Sequence, residues 1–242
     1  MAGPFKSYDI RGVYGKDITE DLAYRVGRAF VTFLKCKNVV VGRDVRESSP
    51  SLRDALTRGI LDQGANVIDI GVCTTPMTSF SIAKYNYDCG IMISASHNPR
   101  QYNAFKLIGK NAIQLSSSTG INDIERIVNE NNFKKPATTG SVMKKDVLED
   151  YLNHVLQFAE KINKLKVVVD YGNGVGSISA KPFFDRLGMN IIALYEKPDG
   201  RFPNHHPDPT IPEYLKAVSY THLRAHETRH DLVCRLLLEK KK

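Results

Sequence analysis

The sequence predicts an α/β fold, a parallel or mixed sheet sandwiched by helices, with a first unit complete and a second unit truncated. Three features of the text point there. Short, continuously apolar segments such as Asn38–Gly42 and Ile91–Ile93 have the composition of strands buried on both faces. They alternate with longer segments whose apolar residues recur at helical spacing. The same strand–helix order then restarts beyond a polar stretch at 129–141.

The elements follow in order. Asp17 to Lys35 reads as a helix, with Leu22, Val26, Phe30 and Phe33 on one stripe. Asn38–Gly42 is a strand. Leu52, Leu56 and Ile60 mark a second helix, where Ser48-Ser49-Pro50 supplies a serine cap and a proline for the first turn. Asn66–Gly71 is the next strand, and Thr75-Pro76 opens a third helix through Ser81 and Ala83. The strand in Gly90–Ser96 closes the series. Residues 129–141 read as a linker or exposed loop. A helix from Val147 to Ile162, carrying Val147, Tyr151, Val155 and Phe158 on one face, leads into a second unit. There Lys166–Asp170 is a strand, a helix passes through Phe183 and Phe184, and Asn190–Tyr195 is a second strand. The units divide as 1–142 and 143–216.

Composition excludes several classes. The 242 residues are 42% hydrophobic and 25% charged, ordinary for a globular protein. No run approaches the roughly 18 apolar residues of a membrane helix. The start lacks the apolar centre of a signal peptide, so a cytoplasmic protein with no membrane partner is expected. Cys36, Cys73, Cys89 and Cys234 form no C-x-x-C pair, so the cysteines suggest neither a zinc site nor a disulfide framework. The net charge of +8 raises nucleic acid as a partner. The basic residues are dispersed among acids, however, and their densest run is Lys240-Lys241-Lys242 at the very end. No nucleic-acid partner is expected.

That end differs in character from the rest. Val218 to Thr228 can be written codon by codon as a transposase-end sequencing adapter, and Asp231 to Glu239 as the flow-cell primer that follows an index. Residues 217–242 therefore read as a translated adapter, with Lys216 the last native position. They carry +3 of the net +8. The i, i+4 spacing of His222, His226 and His230 resembles a metal face and is set aside on the same ground.

Candidate chemistry gathers where strands end, because ligands of open parallel sheets bind there. Ser96 sits at such an end, followed by His97, Asn98 and Pro99. A serine hydroxyl is a poor nucleophile unless a base, a metal or a preset phosphate assists it. Adjacent side chains on an extended chain point apart, so Ser96 and His97 make no dyad. No G-x-S-x-G elbow surrounds the serine, which disfavours acyl transfer. Lys106, Arg11, Arg43 and Arg46 can supply cations to a phosphate, although Arg46 reads better as a solvated surface charge. The glycine turn Asp170–Ser177 departs from G-x-G-x-x-G at its last position and reads as structural. His205, His206 and Asp208 lie in a proline-rich loop and read as structural too.

Taken in order, "YDIRG", "VGRDVRESS", "GVCTTP", "SASHNP" with "YNAFK", and "DGRFPNHHPDP" resemble the alpha-D-phosphohexomutase family, most closely its phosphomannomutase/phosphoglucomutase branch. The resemblance runs from Phe5 to about Lys216. It implies an intramolecular phosphotransferase that interconverts hexose 1-phosphate and 6-phosphate, of mannose or glucose, through a phosphoserine and a bisphosphate intermediate. Ser96 would carry the phosphoryl group. Lys106 matches a position proposed for proton transfer, Arg11 one beside the phosphoserine, and Tyr8 one that touches sugar. His97 and Asn98 would bind the phosphate or hold the loop. Mg²⁺ is the implied cofactor, held by the serine phosphate and a D-G-D-x-D-R run.

Two departures stand out. Ala104 replaces a family glycine, and alanine would strain the loop and displace Lys106 if that position needs a positive φ. The D-G-D-x-D-R run is missing from this sequence. Without its carboxylates, Ser96 alone cannot hold Mg²⁺, and this chain is expected to be inactive. A non-catalytic module that binds phosphosugars or other anions is the competing reading.

Overall fold

The computed structural model describes residues 3–134, 136–159 and 166–223. The first unit is a six-stranded sheet in the order β1-β5-β4-β2-β3-β6. Its strands are β1 (Ile10–Val13), β2 (Asn38–Arg43), β3 (Asn66–Val72), β4 (Cys89–Ile93), β5 (Tyr102–Ile108) and β6 (Val142–Lys144). Five of them run parallel and β5 alone runs against its neighbours, so the sheet is mixed. The reversal has a simple cause. Only residues 94–101 join β4 to β5, and a parallel crossover needs a dozen or more residues. The chain must return as a hairpin, and Ser96 lies in that hairpin's turn.

Helices α1 (Glu20–Leu34), α2 (Ser49–Asp62) and α4 (Ile121–Glu130) cover one face. They meet Ile10, Val39, Val41, Ile91, Ile93, Phe105 and Leu107, all fully buried, and this layer is the larger core. Helix α3 (Thr75–Lys84) covers the other face over Val40, Ile68, Met92 and Ile108, and α5 (Leu148–Leu156) packs beside it. Cys36, Cys73 and Cys89 are free thiols. No described helix is long and apolar enough to cross a membrane.

Several expected boundaries move for local reasons. Helix α1 starts at Glu20, because Thr19 caps it and the Asp17 carboxylate accepts the Val13 amide at 2.9 Å instead. Ser48 occupies the N-cap position of α2 and Pro50 its first turn, but neither serine side chain caps the helix. The Ser48 hydroxyl accepts Asn103 Nδ2 at 2.8 Å, and Ser49 donates to Asp44 Oδ1 at 2.6 Å. Phe158 does not join the apolar face of α5; it is 74% exposed, beyond the helix end. The polar stretch after α4 is tied down: Phe133 lies under the Arg28 guanidinium, and the Gly140 amide donates to the Leu61 carbonyl. In the first unit, strands β1, β5 and β6 and helix α4 are additions to the elements legible in the sequence.

The second unit pairs β7 (Lys166–Asp170) with β8 (Asn190–Leu194) in parallel, with α6 (Gly176–Arg186) between them and α7 (Lys216–Leu223) after them. Most of the suspect tail, 224–242, lies outside the described residues.

Candidate active site

The β4–β5 turn is closed by its own backbone. The Ser94 amide donates to the Ala104 carbonyl at 2.9 Å, and the Tyr102 amide to the Pro99 carbonyl at 2.9 Å. Asn98 caps the turn from inside, its amide and its side-chain Nδ2 both donating to the Ala95 carbonyl at 3.1 and 2.8 Å. Of its two expected roles, Asn98 therefore performs the loop-holding one. Ser96 adopts the left-handed region, φ 55°. A non-glycine residue there costs about 1–3 kcal/mol and persists only where its surroundings over-determine it. Its side chain is solvent-exposed.

Ser96 Oγ lies 3.4 Å from His97 Nδ1. The two side chains thus converge, contrary to the extended-chain expectation, because the backbone turns at Ser96. At that length the contact is weak. Both side chains remain open to solvent.

Arg46 overturns its surface assignment. It is fully buried, beneath the turn. Its guanidinium donates to the carbonyls of Ser96 (2.8 Å), Asn98 (2.7 Å), Pro99 (2.7 Å) and Tyr102 (3.1 Å). Nε reaches Asp44 Oδ2 at 3.2 Å. Burial pulls the Arg46 pKa down, and the Asp44 charge opposes that shift. Asp44 also accepts the Arg46 amide and the Ser49 hydroxyl, so its carboxylate organises the loop after β2. Arg43 is half-buried and donates to the Asp44 carbonyl at 3.2 Å.

The remaining cations converge on a residue that sequence reading passed over. Asp9 is 5% exposed, with Arg11 Nε at 3.6 Å from one oxygen and Lys106 Nζ at 3.7 Å from the other. The register explains this: Arg11 pairs with Ala104 and Ile10 with Phe105, which brings Asp9 level with Lys106. Alternation along β1 was the available signal, since residues 9 and 11 share a face. Ala104 sits within β5 without a positive φ, so the anticipated strain is absent and Lys106 keeps its place in the strand. Tyr8 is 67% exposed; its carbonyl accepts Gln114 Nε2, and no hydrogen bond of its phenol occurs among the described contacts.

The second unit reaches this site through the loop after β8. The Gly200 backbone lies against Val45 and Arg46 so closely that a Cβ would collide with the Val45 carbonyl and stand 2.7 Å from the Arg46 Cα. The Phe202 ring centroid is 5.2 Å from the Arg46 guanidinium carbon. Further on, hydrogen bonds from Thr210 hold the Asp208 carboxyl below its ordinary pKa, with His97 and His206 close enough to add to the shift. His205 bonds Asp170 Oδ2 at 3.0 Å and stacks on Tyr214, so it is structural. The glycine turn is structural as well: Asn173 donates to the Lys197 carbonyl and accepts from Asn204.

Mg²⁺ does not fit what is present. Among the described residues, no three of His, Cys, Asp and Glu converge to hold a metal.

A mixed α/β sheet thus offers a held serine turn at a strand end, with buried and half-buried cations behind it. The chain belongs to the phosphoglucomutase/phosphomannomutase family: the alpha/beta/alpha domain I model matches residues 3–135 and the domain II model residues 149–234. It is 41% identical to a phosphomannomutase of Escherichia coli over 86% of this chain and 48% of that protein. It is 38% identical to a phosphoglucomutase of Neisseria gonorrhoeae over 88% of this chain and 46% of that one. The crystal structure of a phosphoglucomutase/phosphomannomutase family protein from Burkholderia thailandensis superposes with a TM-score of 0.83 at 36% identity, covering 93% of this chain and 51% of that chain. The chain thus spans about half the length of the relatives it matches.

Proposed function

We propose that the chain carries the phosphoserine site of an intramolecular phosphotransferase that interconverts hexose 1-phosphate and 6-phosphate, of mannose or glucose, in the cytoplasm. The observation that carries the reading is Ser96 itself, exposed, held in a left-handed turn at the end of β4, with Arg11 and Lys106 paired to buried Asp9 two strands away.

In this reading the phosphoryl group leaves Ser96 Oγ for a free hydroxyl of a hexose monophosphate. The serine O–P bond breaks, the sugar O–P bond forms, and the sugar hydroxyl gives up its proton. The bisphosphate turns over, and its other phosphate returns to Ser96. Phosphoryl transfer is mainly a matter of in-line placement and charge stabilisation, which a fixed turn beside cations provides. Lys106 serves as the proton-transfer partner and Arg11 as a phosphate-facing cation. Tyr8 is placed at the sugar, His97 beside the phosphate, and Asn98 in the turn. No step is routed through Mg²⁺, because the sequence lacks the D-G-D-x-D-R run and the described residues offer no carboxylate set. We propose further that the 242-residue chain by itself does not complete the interconversion, while the single transfer from a bisphosphate onto Ser96 stays open to it.

The sequence boundary of 1–142 and 143–216 cuts through β6, which belongs to the first sheet, so we assign the first unit to 1–144, the second to 145–216, and 217–242 to adapter-derived text. The codon match supports the last assignment, whereas the domain II match running to residue 234 weighs against it. Reading the uninterrupted gene past the Lys216 codon decides between them.

The test is an intact-mass measurement after incubation with glucose 1,6-bisphosphate. One added phosphate, mapped to Ser96 and lost in Ser96→Ala, is the expected result. Tight binding of the bisphosphate with Ser96 left unmodified would instead support a non-catalytic phosphosugar-binding module.

A further inference from the structure

Arg46 heads the fully buried side chains by volume among the described residues. Replacing a buried ion pair by apolar residues is often neutral or stabilising, so stability alone gives no reason to bury a guanidinium here. Its bonding does. A guanidinium has five N–H donors in a fixed fork, and each finds an acceptor: Asp44 Oδ2 and the carbonyls of Ser96, Asn98, Pro99 and Tyr102. Four of the five acceptors are therefore main-chain oxygens of one turn, the turn that contains Ser96. Four carbonyl dipoles aimed at one point repel one another unless a cation sits there. The shape of the turn and the presence of Arg46 are the same fact.

Two uncommon backbone conformations flank this cation. Ser96, whose carbonyl accepts from it, has φ 55°, and Phe202, whose ring packs against it, has φ 51°. For a bulky residue such as Phe a positive φ is an outlier that needs a reason. Here it lays an aromatic face on the guanidinium, a favourable contact when water is excluded. Phe202 belongs to the second unit, and Gly200 lets the two backbones touch.

We infer that Arg46 is a positioning residue: its guanidinium, sealed by Phe202 of the second unit, fixes the 96–102 turn so that the Ser96 hydroxyl is presented in one orientation. This rests on the reading of Ser96 as phosphoryl carrier. It adds that the second unit acts on that serine through the Asp199–Phe202 loop. Lysine cannot replace the arginine, because an ammonium has three donors and no planar fork.

Hydrogen–deuterium exchange on the 242-residue chain tests the holding role. In Arg46→Met, amides of 96–102 should exchange about tenfold faster or more while β2 and β3 keep their protection. Arg46→Lys should fall between, and Phe202→Ala should raise exchange in the same turn about threefold. If Arg46→Met fails to fold, the other two variants decide. Phosphate uptake at Ser96 from glucose 1,6-bisphosphate tests the positioning role. Arg46→Lys should lower the saturating rate about tenfold with little change in the half-saturating concentration. Wild-type exchange in the turn of both Arg46→Lys and Phe202→Ala, or wild-type uptake by Arg46→Lys, overturns the inference. If the wild-type chain takes up no phosphate, the phosphoserine reading fails by itself, and the exchange data alone decide whether Arg46 holds the turn.

Discussion

The Asp9 carboxylate lies between Arg11 and Lys106, 3.6 Å from one and 3.7 Å from the other, and is itself almost wholly buried. A buried carboxylate with two cationic neighbours fixes where both cations sit. Asp9→Asn keeps the shape and removes the charge. The pairs are long, so the cost in stability should be modest, about 1 kcal/mol by urea denaturation. Phosphate uptake at Ser96 should slow about tenfold, as Lys106 and Arg11 lose their common anchor. Unchanged uptake with an intact fold would show that the Asp9 cluster stands apart from the chemistry.

Gly200 is where the backbone of the second unit touches that of the first. A methyl group there collides with the Val45 carbonyl, which is main chain and cannot swing aside. Gly200→Ala should cost about 1–3 kcal/mol through overpacking. The first unit keeps its own core, so the loss should appear as earlier tryptic cleavage after Arg201, with the six-stranded sheet still protected from exchange.

The central strands were legible because Val39, Val40 and Val41, or Ile91, Met92 and Ile93, are buried on both faces and leave an unbroken apolar run. Strand β5 was not, because Asn103 and Lys106 interrupt its run for the sake of the site. Asn103 holds Ser48 and Ser49, and Lys106 meets Asp9. Ser48 takes the N-cap place, but the hydroxyls of Ser48 and Ser49 do not cap for the same reason, since both accept from Asn103, more than fifty positions away. Motif order singled out Ser96 as the candidate reacting group. It did not show what supports that serine. Arg46 reads as solvated because nothing local hides it; its burial comes from carbonyls at 96–102 and a ring at 202.

Two phenylalanines separate pattern from packing. Phe105 in β5 is fully buried in the larger core, whereas Phe158 is 74% exposed although its spacing suggested a helix face. Phe105→Ala should cost about 3–5 kcal/mol in a denaturant midpoint analysis. Phe158→Ser should change stability by no more than about 0.5 kcal/mol. A large effect at Phe158 would mean that its ring is covered in solution.

Asp199 supplies a pH-dependent test of the loop that carries Phe202. Its carboxylate accepts the Arg201 side chain at 2.6 and 2.9 Å and the Arg201 amide at 2.9 Å, which lowers its pKa from about 3.8 to about 2. A folded-state pKa below the unfolded one means that the folded protein binds this proton more weakly. The stabilising contribution is therefore complete above about pH 4 and is lost as pH falls toward 2. The Asp199 carboxyl carbon, followed by NMR, should titrate with a midpoint near 2. Because the pair is exposed, salt should raise that midpoint toward the ordinary value. In Arg201→Gln the midpoint should return most of the way to 3.8. Exchange in the 96–102 turn should then become faster at neutral pH, since the same clasp holds Phe202 over Arg46. A midpoint that stays near 2 without the arginine would assign the shift to the backbone amide alone and break the link between this clasp and the serine turn.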